Sequence, residues 1–155
     1  MEKKTVAIAA DHAGYLLKEA LKLRLYEAGY AVIDAGTDSE ESCDYPVYAE
    51  AGCRLVLDGK ADLCVLCCGT GAGMSIAANK IKGIRAACCS DVYTARYIRL
   101  HNDANVLCVG ARVVGEGLAW ELVSAFLSSG FEGGKHARRV GLITALEEKG
   151  RSSGQ

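Results

Sequence analysis

A glycine-rich turn that contains a thiol is the part of this sequence best suited to chemistry. Residues 67–73 are Cys-Cys-Gly-Thr-Gly-Ala-Gly, and they follow the apolar run 63–66. A strand that leads through such a turn into a helix leaves backbone N–H groups free, and these bind anions and favour thiolate over thiol. Cys68 is therefore a candidate base or nucleophile. The glycine amides and the Thr70 hydroxyl are candidate donors to a phosphate, a carboxylate or an enolate oxygen.

The spacing of these glycines differs from the common nucleotide motifs. A P-loop requires a Gly-Lys-Ser/Thr ending that the turn lacks, and Gly69-Thr70-Gly71 only begins like a dinucleotide fingerprint. Glycine-rich turns between a strand and a helix also occur in α/β proteins without thiol chemistry. The spacing alone therefore leaves open a phosphate- or nucleotide-binding module that catalyses nothing.

The chain has eight cysteines, which we expect to be free thiols. Cys64 and Cys67 form a C-x-x-C pair, which raises a redox or zinc protein as a third hypothesis. Residues three apart on a strand point to opposite faces, and this counts against that hypothesis. Six of the cysteines lie in apolar runs typical of buried strands: Cys64, Cys67, Cys68, Cys88, Cys89 and Cys108.

Composition limits the classes of protein to which the chain can belong. Its 155 residues are 50% hydrophobic and 24% charged, which predicts one globular domain over residues 1–150 and a flexible tail over 151–155. The net charge of −1, with interspersed signs, argues against a nucleic-acid partner or a membrane surface. The apolar run 6–10 is too short for a signal peptide, and no run reaches transmembrane length. We therefore expect a cytoplasmic protein with a small-molecule ligand.

The elements that must position the thiol alternate between strand and helix. This alternation predicts an α/β fold: a single-domain three-layer α/β/α sandwich around a Rossmann-like five-stranded parallel sheet, in the order 2-1-3-4-5, with a C-terminal helix. Strands are predicted over 5–10, 30–34, 63–68, 84–89 and 106–109. Helices are predicted over 14–28, 46–58, 91–101 with Ser90 as N-cap, 116–128 and 136–149.

In such a sheet, ligands bind beyond the carboxyl ends of the strands. Asp11 and His12 follow the first strand, Cys68 ends the third and Arg112 follows the fifth, so they should share one edge. Asp11 and His12 also fit a simple helix cap. His101 ends a helix and should lie at the opposite edge, where it fits a residue that interacts with the helix dipole. A second subunit could bring it to the thiol.

Six segments resemble the ribose 5-phosphate isomerase B family, in order and over nearly the whole chain: residues 11–14, 44–46, 68–73, 101–105, 110–114 and 132–140. The resemblance implies isomerisation of ribose 5-phosphate to ribulose 5-phosphate, a step of the pentose phosphate pathway, without a metal or other cofactor. It also implies a homodimer or a dimer of dimers whose active sites are shared between subunits. Related members act on allose 6-phosphate or galactose 6-phosphate, so a six-carbon substrate stays open.

The resemblance also implies roles for individual residues. Cys68 would move a proton between C2 and C1 through an enediolate, Thr70 would support that enediolate, and His101 would open the furanose ring. Asp11 and His12 would face the sugar ring and phosphate. The implied substrate-binding residues are Asp11, His12, Tyr45, Gly69, Gly71, Ala72, Gly73, Asn102, Arg112, Lys135, His136 and Arg139, and no metal ligand is among the site residues.

Two positions qualify the match. Lys135 stands where many relatives carry Arg, which replaces a planar fork by a point charge. Met74 occupies the position where one branch of the family places a glutamate base, so Cys68 is the remaining candidate base in that loop. Without the resemblance, an exposed, charged helix start would be the better interpretation of the cluster from Lys135 to Arg139, and the resemblance reverses that preference.

Overall fold

The computed structural model describes residues 3–153, and it confirms the predicted alternation of parallel strands and helices. The strands are β1 (Thr5–Ala10), β2 (Ala31–Asp34), β3 (Leu63–Cys68), β4 (Ala86–Cys88) and β5 (Val106–Gly110). The helices are α1 (Tyr15–Glu27), α2 (Tyr45–Leu57), α3 (Ala72–Ala78), α4 (Val92–Leu100), α5 (Glu116–Ser128) and α6 (Lys135–Ser152).

The order of the strands differs in one detail from the prediction. The sheet runs β2-β1-β3-β5-β4, so β5 lies between β3 and β4 and the predicted order 2-1-3-4-5 is wrong at its last two places. All five residues of β5 are buried, whereas the three residues of β4 are half-buried or exposed. The short, less buried strand therefore takes the edge, where it has a neighbour on one side only.

The sheet has helices on both faces, which gives the three predicted layers. Helices α1, α4 and α5 pack on one face, and α2 and α3 pack on the other. All six residues of β3 are buried, and they alternate between the two cores: Leu63, Val65 and Cys67 face the first, and Cys64, Leu66 and Cys68 face the second. Continuous burial of this kind is typical of a central parallel strand.

Two helix ends differ from the prediction. Helix α4 is capped by Asp91, not Ser90, because the Oδ1 of Asp91 accepts a hydrogen bond of 2.7 Å from the Thr94 N–H. Helix α6 continues through Gly150 to Ser152, with Lys149 and Arg151 in its last turn, where positive charge opposes the helix dipole. The predicted tail is thus helical at its start, and its last two residues lie outside the described residues.

Helix α6 is poorly covered by the rest of the subunit. Of its 18 residues, His136 alone is buried, and Leu142, Ile143 and Leu146 are each about half exposed or more. A helix of this length gains most of its stability in water from packing of an apolar face. Across residues 3–153, none of the helices combines the length and apolar character needed to span a bilayer.

Candidate active site

The candidate base, Cys68, lies at the carboxyl end of β3 and at the start of the glycine-rich turn. We call residues 68–73 the thiol turn. The backbone N–H of Gly71 donates a hydrogen bond of 3.1 Å to the Sγ of Cys68. The side chain is 4% exposed, so the thiol is sheltered without being sealed from a ligand. A donor aimed at the sulfur stabilises negative charge on it, which suits a thiolate base.

At two positions of the thiol turn, the surroundings leave room for glycine only in the present conformation. Gly71 has a φ of 79°, in the left-handed region, and a Cβ there would lie 2.8 Å from the Sγ of Cys88. A Cβ at Gly73 would lie 2.9 Å from the ring of Tyr45, which therefore packs directly against the turn. Since real Cβ contacts are longer, neither position accepts a side chain without rearrangement. At these two positions the turn presents its backbone, and no side chain, to a ligand.

Arg112 and Thr70 add polar groups beside the thiol. Arg112 donates its backbone N–H to the carbonyl of Gly69 over 3.0 Å, and its Nη1 would lie 3.2 Å from a Cβ at Gly69. The Oγ1 of Thr70 accepts a hydrogen bond of 3.2 Å from the Ala72 N–H. That contact occupies a lone pair of the hydroxyl oxygen and leaves its proton free to donate to a ligand.

Asp11 and His12 also lie at this edge. The Asp11 N–H donates to the carbonyl of Cys67 over 3.2 Å, while its Oδ1 accepts from the Gly14 N–H over 3.0 Å. The Nδ1 of His12 accepts from the Cys43 N–H over 3.2 Å. Acceptance at Nδ1 places the proton of the neutral imidazole on Nε2. Asp11 therefore organises the turn before α1, while His12 retains an N–H donor.

A second group of polar residues surrounds His101. Its ring stacks on that of His136, with centroids 4.0 Å apart and an interplanar angle of 9°. The Oε2 of Glu132 lies 3.7 Å from the Nε2 of His101 and 3.5 Å from the Nε2 of His136. We call these three residues the histidine cluster. Burial, followed by the nearby His101, lowers the pKa of His136.

The turn that carries His101 is held by two arginines. Arg85 donates to the backbone carbonyls of Asn102 and Asp103 and to the Asp103 carboxylate. Arg99 donates to the other oxygen of that carboxylate over 2.8 Å. Asp103 has a φ of 46°, an uncommon conformation for a residue other than glycine, and the two arginines surround it on both oxygens. The backbone on which His101 and Asn102 sit is thereby fixed.

The two groups lie at opposite edges of the sheet. Cys68 pairs with Gly110 at the carboxyl ends of β3 and β5, while the carbonyl of Asn105, which follows the His101 turn, accepts from the Cys64 N–H near the start of β3. The length of β3 separates these edges by about 16 Å, at about 3.3 Å per residue. One subunit therefore joins Asp11, His12, Tyr45, Arg112 and the thiol turn. It leaves His101, Asn102, Lys135, His136 and Arg139 at the other end.

The thiols of the C-x-x-C pair, Cys64 and Cys67, are buried and pack in the cores of the sheet. Cys64 and Cys67 face different cores, so they do not form a chelating pair, and burial raises the pKa of each well above its ordinary value. Both are neutral thiols at physiological pH.

Two residues near the predicted site were missed from the sequence. Glu132 lies between two predicted site histidines, and its spacing of four from His136 was a usable signal. Cys43 contacts His12 through its backbone N–H, a contact that depends on how the loop before α2 folds back and that no side-chain pattern indicates.

A glycine-rich turn that holds a sheltered thiol, at the carboxyl edge of a parallel sheet, is typical of an α/β enzyme. The Ribose/Galactose Isomerase family matches residues 6–143, and the chain belongs to that family. The prediction of a sugar-phosphate isomerase, an aldose–ketose isomerase, is thereby confirmed.

Individual relatives are similar over nearly their full length. Ribose-5-phosphate isomerase B of Escherichia coli (strain K12) is 49% identical over 94% of this chain and 98% of its own. D-erythrulose-4-phosphate isomerase of Pectobacterium atrosepticum is 42% identical over 94% of this chain and 96% of its own. Among solved structures, ribose-5-phosphate isomerase B of Clostridium thermocellum matches with a TM-score of 0.92 and 48% identity, over 94% of this chain and 98% of its own.

Proposed function

We propose that the protein interconverts ribose 5-phosphate and ribulose 5-phosphate through an enediolate. Cys68 is the base that moves a proton between C2 and C1, and the partner subunit's His101 opens the furanose ring. The observation that carries the proposal is the hydrogen bond from the Gly71 N–H to the Sγ of Cys68 at the sheet's carboxyl edge. We place the reaction in the cytoplasm, within the pentose phosphate pathway.

Proton transfer next to a carbonyl needs a positioned base and donors to the oxygen that gains charge. The sulfur of Cys68 takes the proton from C2 of the open-chain aldose, and the electrons move to the carbonyl oxygen to give the enediolate. The same sulfur then returns a proton to C1, while the hydroxyl at C2 gives up its proton and O1 gains one, so that the carbonyl forms at C2. The amides of residues 69–73 and the hydroxyl of Thr70 stabilise the developing negative charge, and Tyr45 is close enough to the turn to bind a sugar hydroxyl.

Cationic residues at both ends of the molecule would bind the phosphate. Arg112 lies beside Gly69, and we assign it a bidentate contact to phosphate oxygens. Lys135, His136 and Arg139 lie on the first turns of α6, at the opposite edge, with the histidine cluster. His12 keeps a donor at Nε2 for the sugar or its phosphate. These residues serve one substrate only if α6 of one subunit reaches the thiol turn of another.

The protein therefore acts as a homodimer, or as a dimer of dimers, with each active site shared between subunits. The separation of about 16 Å between the sheet edges supports sharing, because it exceeds what one sugar phosphate spans. The exposed apolar side chains of α6, Leu142, Ile143 and Leu146, support burial of that helix against a second subunit.

The relatives differ in the length of the sugar phosphate for which they are named. The relative from Escherichia coli is named for ribose 5-phosphate, and this name supports ribose 5-phosphate as the substrate of this protein. The relative from Pectobacterium atrosepticum, named for a four-carbon sugar phosphate, has only slightly lower identity, so overall similarity does not determine the length of the sugar. Six-carbon sugar phosphates remain the alternative substrates.

Initial rates on a panel of sugar phosphates test the proposal. The full-length protein is assayed with ribose 5-phosphate, allose 6-phosphate, galactose 6-phosphate and D-erythrulose 4-phosphate, and mononucleotide binding is measured by calorimetry. We expect the highest kcat/KM with ribose 5-phosphate. A preference for another sugar keeps the mechanism and changes the substrate. Absence of turnover on all four, together with tight mononucleotide binding, contradicts the proposal.

A further inference from the structure

The histidine cluster brings together three side chains whose donor atoms suit a transition metal. The Nε2 atoms of His101 and His136 face the same carboxylate oxygen of Glu132, at 3.7 and 3.5 Å. All three ligand atoms lie within 4.8 Å of one another. Two imidazoles and one carboxylate are a ligand set that zinc uses where it keeps a fourth position open. Calcium and magnesium prefer oxygen donors only, so the set selects against them.

The backbone holds these ligands in place before any ion binds. The Glu132 N–H donates to the carbonyl of Leu100 over 3.0 Å, which ties the segment before α6 to the end of α4. The His101 N–H donates to the carbonyl of Tyr97 over 2.9 Å, and the His136 N–H to that of Gly133 over 3.0 Å. The backbone of each of the three ligand residues is therefore held by a hydrogen bond from its own N–H. When an ion binds, the entropy lost by ordering these three residues is therefore a small part of the cost of binding.

The distances are close to those that a tetrahedral ion requires. Bonds of about 2.0–2.2 Å at tetrahedral angles place neighbouring ligand atoms about 3.3–3.5 Å apart. The two observed separations from Glu132 are 3.5 and 3.7 Å. The rings of His101 and His136 lie parallel, with their centroids 4.0 Å apart. Because the lone pair of each Nε2 lies in the plane of its ring, binding of one ion requires the rings to rotate out of this stack until both lone pairs point at the ion.

We propose that His101, Glu132 and His136 form a binding site for a divalent transition-metal ion of the zinc class, with a fourth position open to water. The site is inhibitory. Its effect on catalysis rests on the proposed function: an ion bound to the Nε2 of His101 occupies the lone pair that ring opening requires. Zinc at this site therefore lowers turnover, and a chelator restores it.

Cobalt(II) is the direct probe for this site, since its visible absorption reports coordination geometry and its near-ultraviolet absorption reports thiolate ligands. The titration uses the full chain carrying Cys88→Ser, which removes the exposed thiol. We expect one cobalt ion per chain, with visible bands of a four- or five-coordinate ion and no thiolate band. Glu132→Gln should weaken binding at least about tenfold, because it removes the ligand between the two imidazoles.

The matched control is Glu121→Gln, the same change in charge at an exposed position of α5. It should leave cobalt affinity unchanged. Equal affinity in Glu132→Gln and in the parent protein, a thiolate band, or no visible band at all would each overturn the metal site. These readouts need no substrate, so they stand even if the proposed isomerase activity fails.

Inhibition is measured as the ratio of turnover with and without micromolar Zn²⁺, followed by excess chelator. The ratio removes any difference in basal rate between variants. We expect the parent protein to lose most of its turnover and to recover it with chelator, while Glu132→Gln resists at least about tenfold more zinc. If Glu132→Gln loses cobalt binding but is inhibited by zinc as strongly as the parent, the inhibitory role is wrong.

Discussion

The Gly71 N–H donates to the Sγ of Cys68 over 3.1 Å, across a turn whose left-handed conformation at position 71 favours glycine. This contact links the backbone conformation of the thiol turn to the chemistry of its sulfur. The conformation with a φ of 79° is what points the amide at the thiol. Disturbing the backbone should therefore disturb the base even when the sulfur itself is unchanged.

The first prediction is that Gly71→Ala impairs both stability and turnover. A left-handed alanine costs about 1–2 kcal/mol, and its Cβ would also lie 2.8 Å from the Sγ of Cys88. We expect a lower urea midpoint and a fall in kcat of at least about tenfold, through a misplaced amide donor. Gly117→Ala is the control, because nothing lies near a Cβ there and the residue is helical. Wild-type kcat in a folded Gly71→Ala protein would contradict the role of the turn.

The second prediction concerns sharing of the active site between subunits. Cys68→Ala and His101→Asn should each be inactive alone. Unfolding the two together and refolding them should restore about a quarter of wild-type activity, since half of the random dimers are mixed and each of these has one intact site. Each variant refolded by itself is the control. If mass spectrometry confirms mixed dimers and activity stays at the level of the single variants, the sites are not shared.

The third prediction assigns phosphate binding to Arg112. Arg112→Gln should raise KM roughly 10- to 100-fold, which is the loss expected for a charged hydrogen bond to an anion. The effect on kcat should be smaller, since the base is untouched. Arg138→Gln removes the same charge from an exposed position of α6 and should change KM little. A fall in kcat at constant KM for Arg112→Gln would place this arginine at the reacting carbons instead.

The fourth prediction concerns the buried Lys18. Its side chain is fully buried, and its Nζ contacts both carboxylate oxygens of Asp34, at 2.8 and 2.7 Å. Asp34→Asn should destabilise the protein by about 3 kcal/mol, the lower end for breaking a buried pair, because Glu19 still accepts from Lys18. Glu50→Gln, which breaks an exposed pair with Arg54, is the control and should cost less than about 0.5 kcal/mol.

This ion pair also makes stability depend on pH. Burial alone would raise the pKa of Asp34, but hydrogen bonds from Lys18 and Lys22 lower it below the ordinary value of 3.8. A carboxyl with a lowered folded pKa stabilises the protein above its unfolded pKa, and this is lost as pH falls through the folded value. The stability difference between wild type and Asp34→Asn should therefore be full at pH 7 and shrink below about pH 3.8. A difference independent of pH would mean that packing, not charge, is lost.

Most of the fold could be predicted from the sequence, because buried parallel strands are continuous apolar runs. The strands over 5–10 and 63–68 were predicted with their observed bounds. The lateral order of β4 and β5 could not be read in this way. The run from Ile84 to Cys89 is apolar apart from Arg85 and predicts a strand as the run that forms β5 does, yet β4 takes the edge. Which strand has neighbours on both sides depends on packing between distant segments.

As with the fold, one part of the candidate site could be predicted from the sequence and another part could not. The thiol turn is contiguous in sequence, so the pattern of its glycines and thiol predicts an anion site directly. The histidine cluster joins the end of α4, at Leu100, to the start of α6, at Lys135, which are 35 residues apart in the sequence. No sequence pattern indicates that the rings of His101 and His136 stack or that Glu132 lies between them. Contacts between segments distant in sequence appear only once the helices are packed.

Isomerisation in D₂O with wild type and Cys68→Ala tests whether Cys68 is the base. Product from ribose 5-phosphate is analysed by NMR for deuterium at C1, and substrate binding is measured separately by calorimetry. We expect solvent deuterium at C1 with wild type, because the Cys68 thiol exchanges its proton with D₂O before returning one to C1. In Cys68→Ala, we expect a turnover lower by about 10²- to 10⁴-fold, typical for loss of a positioned base, with substrate still bound. Turnover in Cys68→Ala close to wild type would contradict Cys68 as the base, whereas product without deuterium would mean only that the proton is returned before it exchanges.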